Sequence, residues 1–229
     1  MTAIPFLIAL AVATLLFFVL ANLRATKDVL AAGVLLRFYL YIASFVTLVV
    51  LVAGLTYLLT GLFSLGSREF SYSRIVRPIS PVAAPTVNSN DAQFDQQELD
   101  RQRDQQSTDL LRGGTLAVIG GLLFSVHAIL RRRGAAEVSI EGNFRRGFLM
   151  VGLVTFGLVG LVALPIGVYQ TLRFFLIAPP ATQQRVAPGN TLATAVVLTP
   201  LWICYLAALT RQAARPAAGT PSPQPSPSA

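Results

Sequence analysis

The chain has 229 residues, of which 54 % are hydrophobic and only 12 % charged, and its net charge is +8. Soluble domains carry about 25 % charged residues, so this chain has too few charges to cover the surface of a soluble fold. The composition excludes a secreted disulfide scaffold, a disordered chain and an ordinary cytosolic enzyme, and it indicates an integral membrane protein. One cysteine, Cys204, is present, so no disulfide can form within the chain.

Five apolar stretches are long enough, or nearly so, to cross a bilayer, because a hydrocarbon core of about 30 Å needs about 20 helical residues. These first to fifth spans are residues 4–23, 38–65, 113–130, 147–177 and 191–210. Runs of this length do not show the alternating pattern of a barrel strand. We therefore expect an all-α integral membrane protein with five transmembrane helices.

The basic residues predict the orientation of these spans. With five spans, one side of the membrane carries ten basic and three acidic residues, and the other carries eight basic and seven acidic. Basic loops remain in the cytoplasm, so we expect the N-terminus outside and the C-terminus inside. All basic residues except Lys27 are arginine, which is typical of a GC-rich bacterial genome, so we expect the inner (cytoplasmic) membrane of a bacterium. A cleaved signal peptide is the alternative for the first span, which lacks a charged segment before it. The densest group of topology residues is Arg131, Arg132, Arg133, Arg145 and Arg146.

These spans divide the chain into segments. Residues 1–34 are expected to form an N-terminal membrane helix and an inner turn, 35–65 the second span, 66–112 an external loop, 113–133 the third span and 134–146 a basic inner loop. The fourth and fifth spans occupy 147–212. The tail of residues 213–229 is rich in proline and serine, so we expect it to be disordered.

Residues 90–112 of the external loop are predicted to form a polar helix, supported by i,i+3 pairs of Glu98 with Arg101 and Asp100 with Arg103. Two interpretations of this helix remain open. It is a docking surface for a partner, or it is a solvated, partly frayed stalk, which we favour because helices that are polar on all sides are marginally stable. The contacts of the docking surface would be Phe94, Leu99, Leu110 and Leu111.

Small residues and prolines within the spans predict how the helices pack. Four small residues recur at every fourth position of the third span and so share one helix face, which lets a neighbouring helix approach closely. We expect this stripe to pack within the chain rather than in a homodimer; it consists of Gly113, Ala117, Gly121 and Ser125. Pro165 in the fourth span and Pro200 in the fifth predict kinks used for packing.

His127 is the one histidine of the chain and lies near the end of the third span. Ionisable groups within a membrane are candidates for function, so His127 is a candidate haem-binding, metal-binding or proton-carrying residue. The alternative that we favour is a neutral imidazole hydrogen-bonded at the helix end. The sequence contains no nucleophile–His–Asp set and no Cys/His cluster with metal-ligand spacing. We therefore expect no enzyme activity and no cofactor.

Two segments of the chain are similar to each other, and they carry a resemblance to a known type of domain. GGTLAVIGGLLFSVHAILRRR aligns with GNTLATAVVLTPLWICYLAALTR, which predicts a duplicated two-helix hairpin. Tyr39-Leu40-Tyr41 opens the second span, His127 followed by arginines ends the third, and Pro200-Leu201-Trp202 lies in the fifth. In these features the chain resembles a bacterial multi-pass membrane domain family of unknown function, built from paired helices. The resemblance covers residues 35–133 and, more loosely, 145–211, and it implies an architecture without implying a reaction.

The sequence thus predicts a non-enzymatic accessory or structural subunit that acts by helix packing. Its expected partners are the lipid bilayer and either another membrane protein or a second copy of the chain, and nucleic acid is not expected. A small-solute transporter or channel is the alternative, with Pro165, Pro200 and the glycines of the spans as pliable elements. A dimeric haem-b protein that uses His127 is a third interpretation.

Overall fold

The computed structural model describes residues 32–74, 89–133, 141–177 and 186–214. These residues form α1 (Ala32–Gly66), α2 (Arg68–Ser71), α3 (Ser89–Arg133), α4 (Glu141–Leu176) and α5 (Gly189–Ala213), with no strand among them. All except α2 are long and apolar enough to cross a membrane. The all-α class is therefore confirmed, and the second to fifth spans correspond to α1, α3, α4 and α5.

Several predictions fall outside the described residues. The first span, residues 4–23, is one of them, as are most of the basic loop and the tail after residue 214. The number of five spans and their orientation therefore stay predictions.

Two helices are longer than their apolar runs. α3 continues without a break from the polar residues 89–112 into the third span, so the polar helix and the span are one element of 45 residues. α4 begins at Glu141, and Arg145 and Arg146 accordingly lie in its second turn rather than in a loop. Polar residues beyond the hydrocarbon core can continue a helix, since water and head groups solvate their side chains.

The four long helices pack as two antiparallel hairpins. α1 makes its most extensive contact with α3, and α4 makes its most extensive contact with α5. In the first hairpin Gly61 of α1 faces Leu110 of α3, whereas Leu51 of α1 faces Gly120 of α3, so the two helices run in opposite directions. This pairing is the one that the duplicated hairpin predicts.

The hairpins join at both ends. At one end, called the arginine end because Arg131 lies there, Phe45 of α1 packs against Phe148 and Phe156 of α4, and Tyr205 of α5 completes the cluster. These side chains belong to the buried hydrophobic core of the described residues.

At the other end, called the polar end, the short helix α2 lies between the hairpins. Phe70 of α2 contacts Phe63 of α1 and Phe174 of α4 edge to face, with ring centroids 6.0 and 5.4 Å apart. The Ser71 hydroxyl donates to the Thr60 carbonyl at 3.0 Å. α2 thereby fixes the ends of α1 and α4 to each other.

Candidate functional site

Glycines bring the backbones of α1 and α3 into direct contact. A methyl group at Gly120 would lie 2.7 Å from the Leu51 nitrogen, and one at Gly113 would lie 2.7 Å from the Leu58 α-carbon. On the other helix, Gly54 faces the backbone of Ala117. Only residues without a large side chain permit this approach, which places more atoms within van der Waals range than a contact between larger side chains would.

The observed contact face of α3 therefore differs from the predicted stripe by one residue after Ala117. Gly113 and Ala117 lie at the contact as predicted, but the next contact residue is Gly120, since Gly121 lies at the edge, 3.8 Å from the Leu51 side chain. Ser125 is exposed and donates to the Gly121 carbonyl at 2.7 Å. Contacts between helices that wind about each other alternate between steps of four and three residues, whereas the predicted stripe used steps of four throughout.

A second set of glycines lies between α4 and α5. A Cβ added at Gly157 would lie 2.8 Å from the indole of Trp202, and one added at Gly167 would lie 3.3 Å from the Leu192 backbone. Gly152 faces the ring of Tyr205 in the same interface. These glycines are irregularly spaced in the sequence, so sequence periodicity does not show that they share one helix face.

Pro165 and Pro200 both lie inside continuous helices, α4 and α5 respectively, and both are exposed. Their rings therefore point away from the glycine contacts. The predicted kinks at these prolines, and the use of those kinks in packing, stay predictions.

Hydroxyl side chains inside the bundle bond to their own helix. On α1, Ser44 donates to the Leu40 carbonyl at 2.7 Å, Thr56 to Val52 at 2.9 Å and Thr60 to Thr56 at 2.8 Å. In an apolar environment each such bond satisfies the hydroxyl without a partner from another helix. Thr155 of α4 differs, because its buried hydroxyl oxygen has no hydrogen-bond partner.

His127 lies on α3 beside α1, with its ring 6.2 Å from the ring of Tyr39. Its Nδ1 is 2.7 Å from the Leu123 carbonyl. A carbonyl can only accept, so Nδ1 carries the proton in this contact. The described residues contain no group of three or more His, Cys, Asp or Glu side chains placed to hold a metal. Haem or metal binding by His127 stays a prediction.

The arginine end contains an arginine held by aromatic rings. The guanidinium carbon of Arg131, in the last turn of α3, lies 5.0 Å from the centroid of Tyr41 and 4.8 Å from that of Phe148. Its Nη1 is buried without a hydrogen-bond partner. The cation thus connects the first hairpin to the second by cation–π contacts, which contribute about 0.5–2 kcal/mol each.

The other four predicted topology residues are placed differently. Arg132, Arg133, Arg145 and Arg146 are all exposed, whereas Arg131 is partly buried among the rings. Consecutive helical residues point about 100° apart, so only one residue of the Arg131–Arg133 run faces the bundle. Sequence alone gives these residues one shared role, and the structure separates Arg131 from the rest.

The polar end contains a network between α3 and the segment 68–74. Arg101 forms an ion pair with Glu98 at 2.6 Å and donates to the Ser73 carbonyl at 3.0 Å. Arg74 pairs with Asp95 at 2.7 Å. Glu98 is 5 % exposed, whereas the Arg74 and Asp95 side chains are half or more exposed, so the network extends from a buried carboxylate to the surface. The predicted pairs of Glu98 with Arg101 and Asp100 with Arg103 are both present, the second at 3.8 Å.

Nearer the membrane, the same network continues through side chains of the external segment. The Tyr72 hydroxyl donates to Asp109 Oδ2 at 3.0 Å, and Arg68 Nε donates to Gln106 Oε1 at 3.3 Å. Burial raises the pKa of the Tyr72 phenol above its ordinary value, and the negative charge of Asp109 raises it further. The phenol therefore stays protonated and keeps donating at neutral pH.

The polar helix is therefore anchored along one side. Of its predicted docking contacts, Leu99 and Leu111 are exposed, by 48 % and 76 %, whereas Leu110 is partly buried against Gly61 and Phe94 is partly buried. Sequence reasoning missed that residues 68–74 hold this helix, since nothing in their composition predicted α2. Comparison of the chain with protein-family models, with curated proteins and with solved structures found no match.

Proposed function

We propose that the chain is a non-enzymatic subunit of a bacterial inner membrane, with five spans, its N-terminus outside and its C-terminus inside. It acts by helix packing, as an accessory or structural component for another membrane protein. In this orientation the arginine end is cytoplasmic and the polar end is external. The bilayer and one membrane-protein partner, or a second copy of the chain, are its binding partners.

The direct backbone contact within both hairpins is the observation that carries this proposal. A Cβ added at Gly120 would meet the Leu51 backbone, and one at Gly167 would meet the Leu192 backbone, so both hairpins bring two helix backbones close together. Such contacts replace the hydrophobic driving force that is missing between helices in lipid. They support a rigid bundle whose outer faces are available to a partner.

α3 is the helix best placed to meet that partner. Only 11 % of its most apolar window is buried, compared with 44 % for that of α1. Outside that window, residues 89–112 extend the helix by about 36 Å at 1.5 Å per residue, and the network with residues 68–74 holds this extension. We infer that α3 presents one continuous surface, partly in the membrane and partly outside it.

Affinity purification in mild detergent tests the proposal, with Gly113→Leu and Gly66→Leu as the compared variants. A Cβ at Gly113 would meet the Leu58 backbone, whereas one at Gly66, which lies outside α3, would meet nothing within 4 Å. We expect a stoichiometric partner to purify with the natural chain and with Gly66→Leu, and to be lost with Gly113→Leu. A chain that purifies without a stoichiometric partner or second copy, or equal capture by both variants, would contradict the proposal.

Reporter fusions test the membrane orientation separately. A reporter active only in the cytoplasm should be active after residue 140 or 215, and inactive after residue 85 or at the N-terminus. The N-terminal result decides between five spans and four. An external position for residue 140 would overturn the proposed orientation.

A further inference from the structure

One apolar stripe of α1 is left exposed or partly exposed by the other described helices. Its residues follow one another at alternating steps of three and four, so they share one face of the helix. Tyr39 is 58 % exposed and Val46 is 49 % exposed. The stripe extends over about 26 Å at 1.5 Å per residue. This α1 stripe consists of Leu36, Tyr39, Ala43, Val46, Val50 and Ala53, none of which is buried.

The other faces of α1 are occupied by the two hairpins. Phe45 and Val49, each next to a residue of the stripe, belong to the buried core, and Phe45 packs against α4. Gly54 faces the backbone of Ala117 in α3, and α1 also contacts α5. The α1 stripe is therefore the surface of α1 on which one more helix would pack.

The chain that precedes α1 supplies such a helix from close by. The first span ends at residue 23 and α1 begins at Ala32, so residues 24–31 join them. Connections of 2–8 residues between helices commonly join antiparallel neighbours. A link this short keeps the first span beside the α1 stripe at an effective concentration in the millimolar range. This tether favours the first span over a second copy of the chain or another protein.

Side-chain sizes are complementary when the first span is aligned antiparallel to α1. With the ends of the two apolar runs next to the link set at the same depth, Phe18 lies opposite Ala43, and Ile8 lies opposite Ala53. Helices in a membrane approach closely where a large side chain of one meets a small residue of the other. The two alanines thus leave room for the larger residues of the first span.

We propose that the first span, residues 4–23, packs antiparallel against the α1 stripe and forms the fifth helix of the bundle. Packing there covers α1 and leaves the outer surface of α3 to the partner. This inference rests on the proposed topology of five spans, which the N-terminal reporter fusion tests independently.

The chain offers one cleavage point that suits a test of this contact. Lys27 is its only lysine and lies in the link between the first span and α1. A lysine-specific protease therefore divides the denatured full chain into residues 1–27 and 28–229. A disulfide between the first span and α1 keeps the two pieces together until it is reduced. Because a disulfide requires α-carbons within about 7 Å of each other, retention of the smaller piece reports contact.

Ala53→Cys on the stripe and Leu55→Cys off the stripe form the matched comparison, in a chain whose natural cysteine is removed by Cys204→Ala. Leu55 is exposed as well and lies at nearly the same depth, but it points about 200° away from Ala53 around α1. Each variant is combined with a cysteine at residue 6, 7, 8 or 9, which together cover one full turn of the first span. Disulfides are formed by copper–phenanthroline in native membranes before the chain is denatured and cleaved.

We expect Ala53→Cys to retain most of the 1–27 piece, with the highest yield for Ile8→Cys. Leu55→Cys should release nearly all of it. A second pair, Val46→Cys with Leu15→Cys, tests the same contact nearer the arginine end and should also retain the piece. This pair keeps the inference testable if Ala53→Cys fails to fold.

Three results would overturn the inference. They are release of the 1–27 piece from both stripe pairs, equal retention by Leu55→Cys, and a disulfide-linked dimer of Ala53→Cys alone, which would assign the stripe to a second copy. Failure of the proposed topology gives a different result, because an N-terminal reporter that is active in the cytoplasm contradicts five spans. An inactive N-terminal reporter together with a released 1–27 piece contradicts the packing on α1 alone.

Discussion

Replacing Gly120 by alanine tests the backbone contact on which the first hairpin depends. The added methyl group would lie 2.7 Å from the nitrogen and 2.9 Å from the α-carbon of Leu51. Ordinary contacts begin at 3.4 Å, so α1 and α3 must separate by about 0.7 Å to accept it. At neighbouring Gly121 the same methyl group would lie 3.8 Å from the Leu51 side chain and needs no movement.

The pair of variants separates this clash from the intrinsic preference of alanine for helices. Both glycines lie inside α3, so each substitution gains about 1 kcal/mol of helix propensity. Overpacking a close contact costs about 1–3 kcal/mol, and it applies to Gly120→Ala alone. We expect Gly121→Ala to be stabilising or neutral, and Gly120→Ala to be less stable than Gly121→Ala by about 1–3 kcal/mol.

Unfolding of the purified protein by sodium dodecyl sulfate, followed by circular dichroism, measures this difference. The Gly113→Ala and Gly114→Ala pair repeats the design about two turns nearer the polar end, with Gly113 at the contact and Gly114 open. Equal stability within each pair would refute the backbone contact. A lower stability of Gly121→Ala than of Gly120→Ala would instead favour the stripe predicted from the sequence.

Three further substitutions test other parts of the bundle. Tyr72→Phe leaves the carboxylate of Asp109 without its donor and should destabilise the protein by about 1–3 kcal/mol. Because the pKa of this phenol is raised in the folded protein, the stability of the natural chain should fall above about pH 10, where the phenol ionises in the unfolded chain. Chemical unfolding at several pH values measures both effects. Gly157→Val should displace the single tryptophan, Trp202, which lies 2.8 Å from the added Cβ, and should shift its fluorescence. Thr155→Val replaces a buried hydroxyl that has no partner by an apolar group of the same shape, so stability in the detergent titration should stay equal or rise.

Each of these substitutions has a result that contradicts its reasoning. A stability of Tyr72→Phe that declines above pH 10 as steeply as that of the natural chain would assign the decline to another group. An unchanged emission spectrum in Gly157→Val would place the indole elsewhere, and Gly160→Ala, whose methyl group meets Leu198 at an ordinary 3.4 Å, is its control. A large loss of stability in Thr155→Val would reveal a hydrogen bond to this hydroxyl.

The all-α membrane class and the long helices could be predicted from the sequence because they depend on the hydropathy of consecutive residues. An apolar run of about 20 residues has few alternatives to a membrane helix, since the backbone must satisfy its own hydrogen bonds in lipid. The pairs of Glu98 with Arg101 and Asp100 with Arg103 were predictable for a similar reason, because both partners lie on one helix and their spacing fixes their geometry.

Features that involve two elements were harder to predict. Gly113 and Ala117 were identified from spacing alone, but Gly120 was missed because the contact depends on the angle at which α1 crosses α3. The network of the external segment was missed for the same reason. Residues 68–74 contain two arginines and two aromatic residues in a stretch of mixed composition. These side chains find their partners only because the folded chain places this segment beside α3.

The distribution of polar groups indicates where this molecule can recognise others. Inside the described bundle, hydroxyl groups such as those of Ser44 and Thr60 donate to their own helices, and glycines bring backbones together without offering a side chain. Charged side chains lie instead beyond the apolar runs, as an ion-pair network at the polar end and as arginines at the other. The polar end is internally paired and serves to hold α3. The most apolar window of α3 is the least buried of the four described candidate spans, so the proposed partner would gain most by packing against that helix.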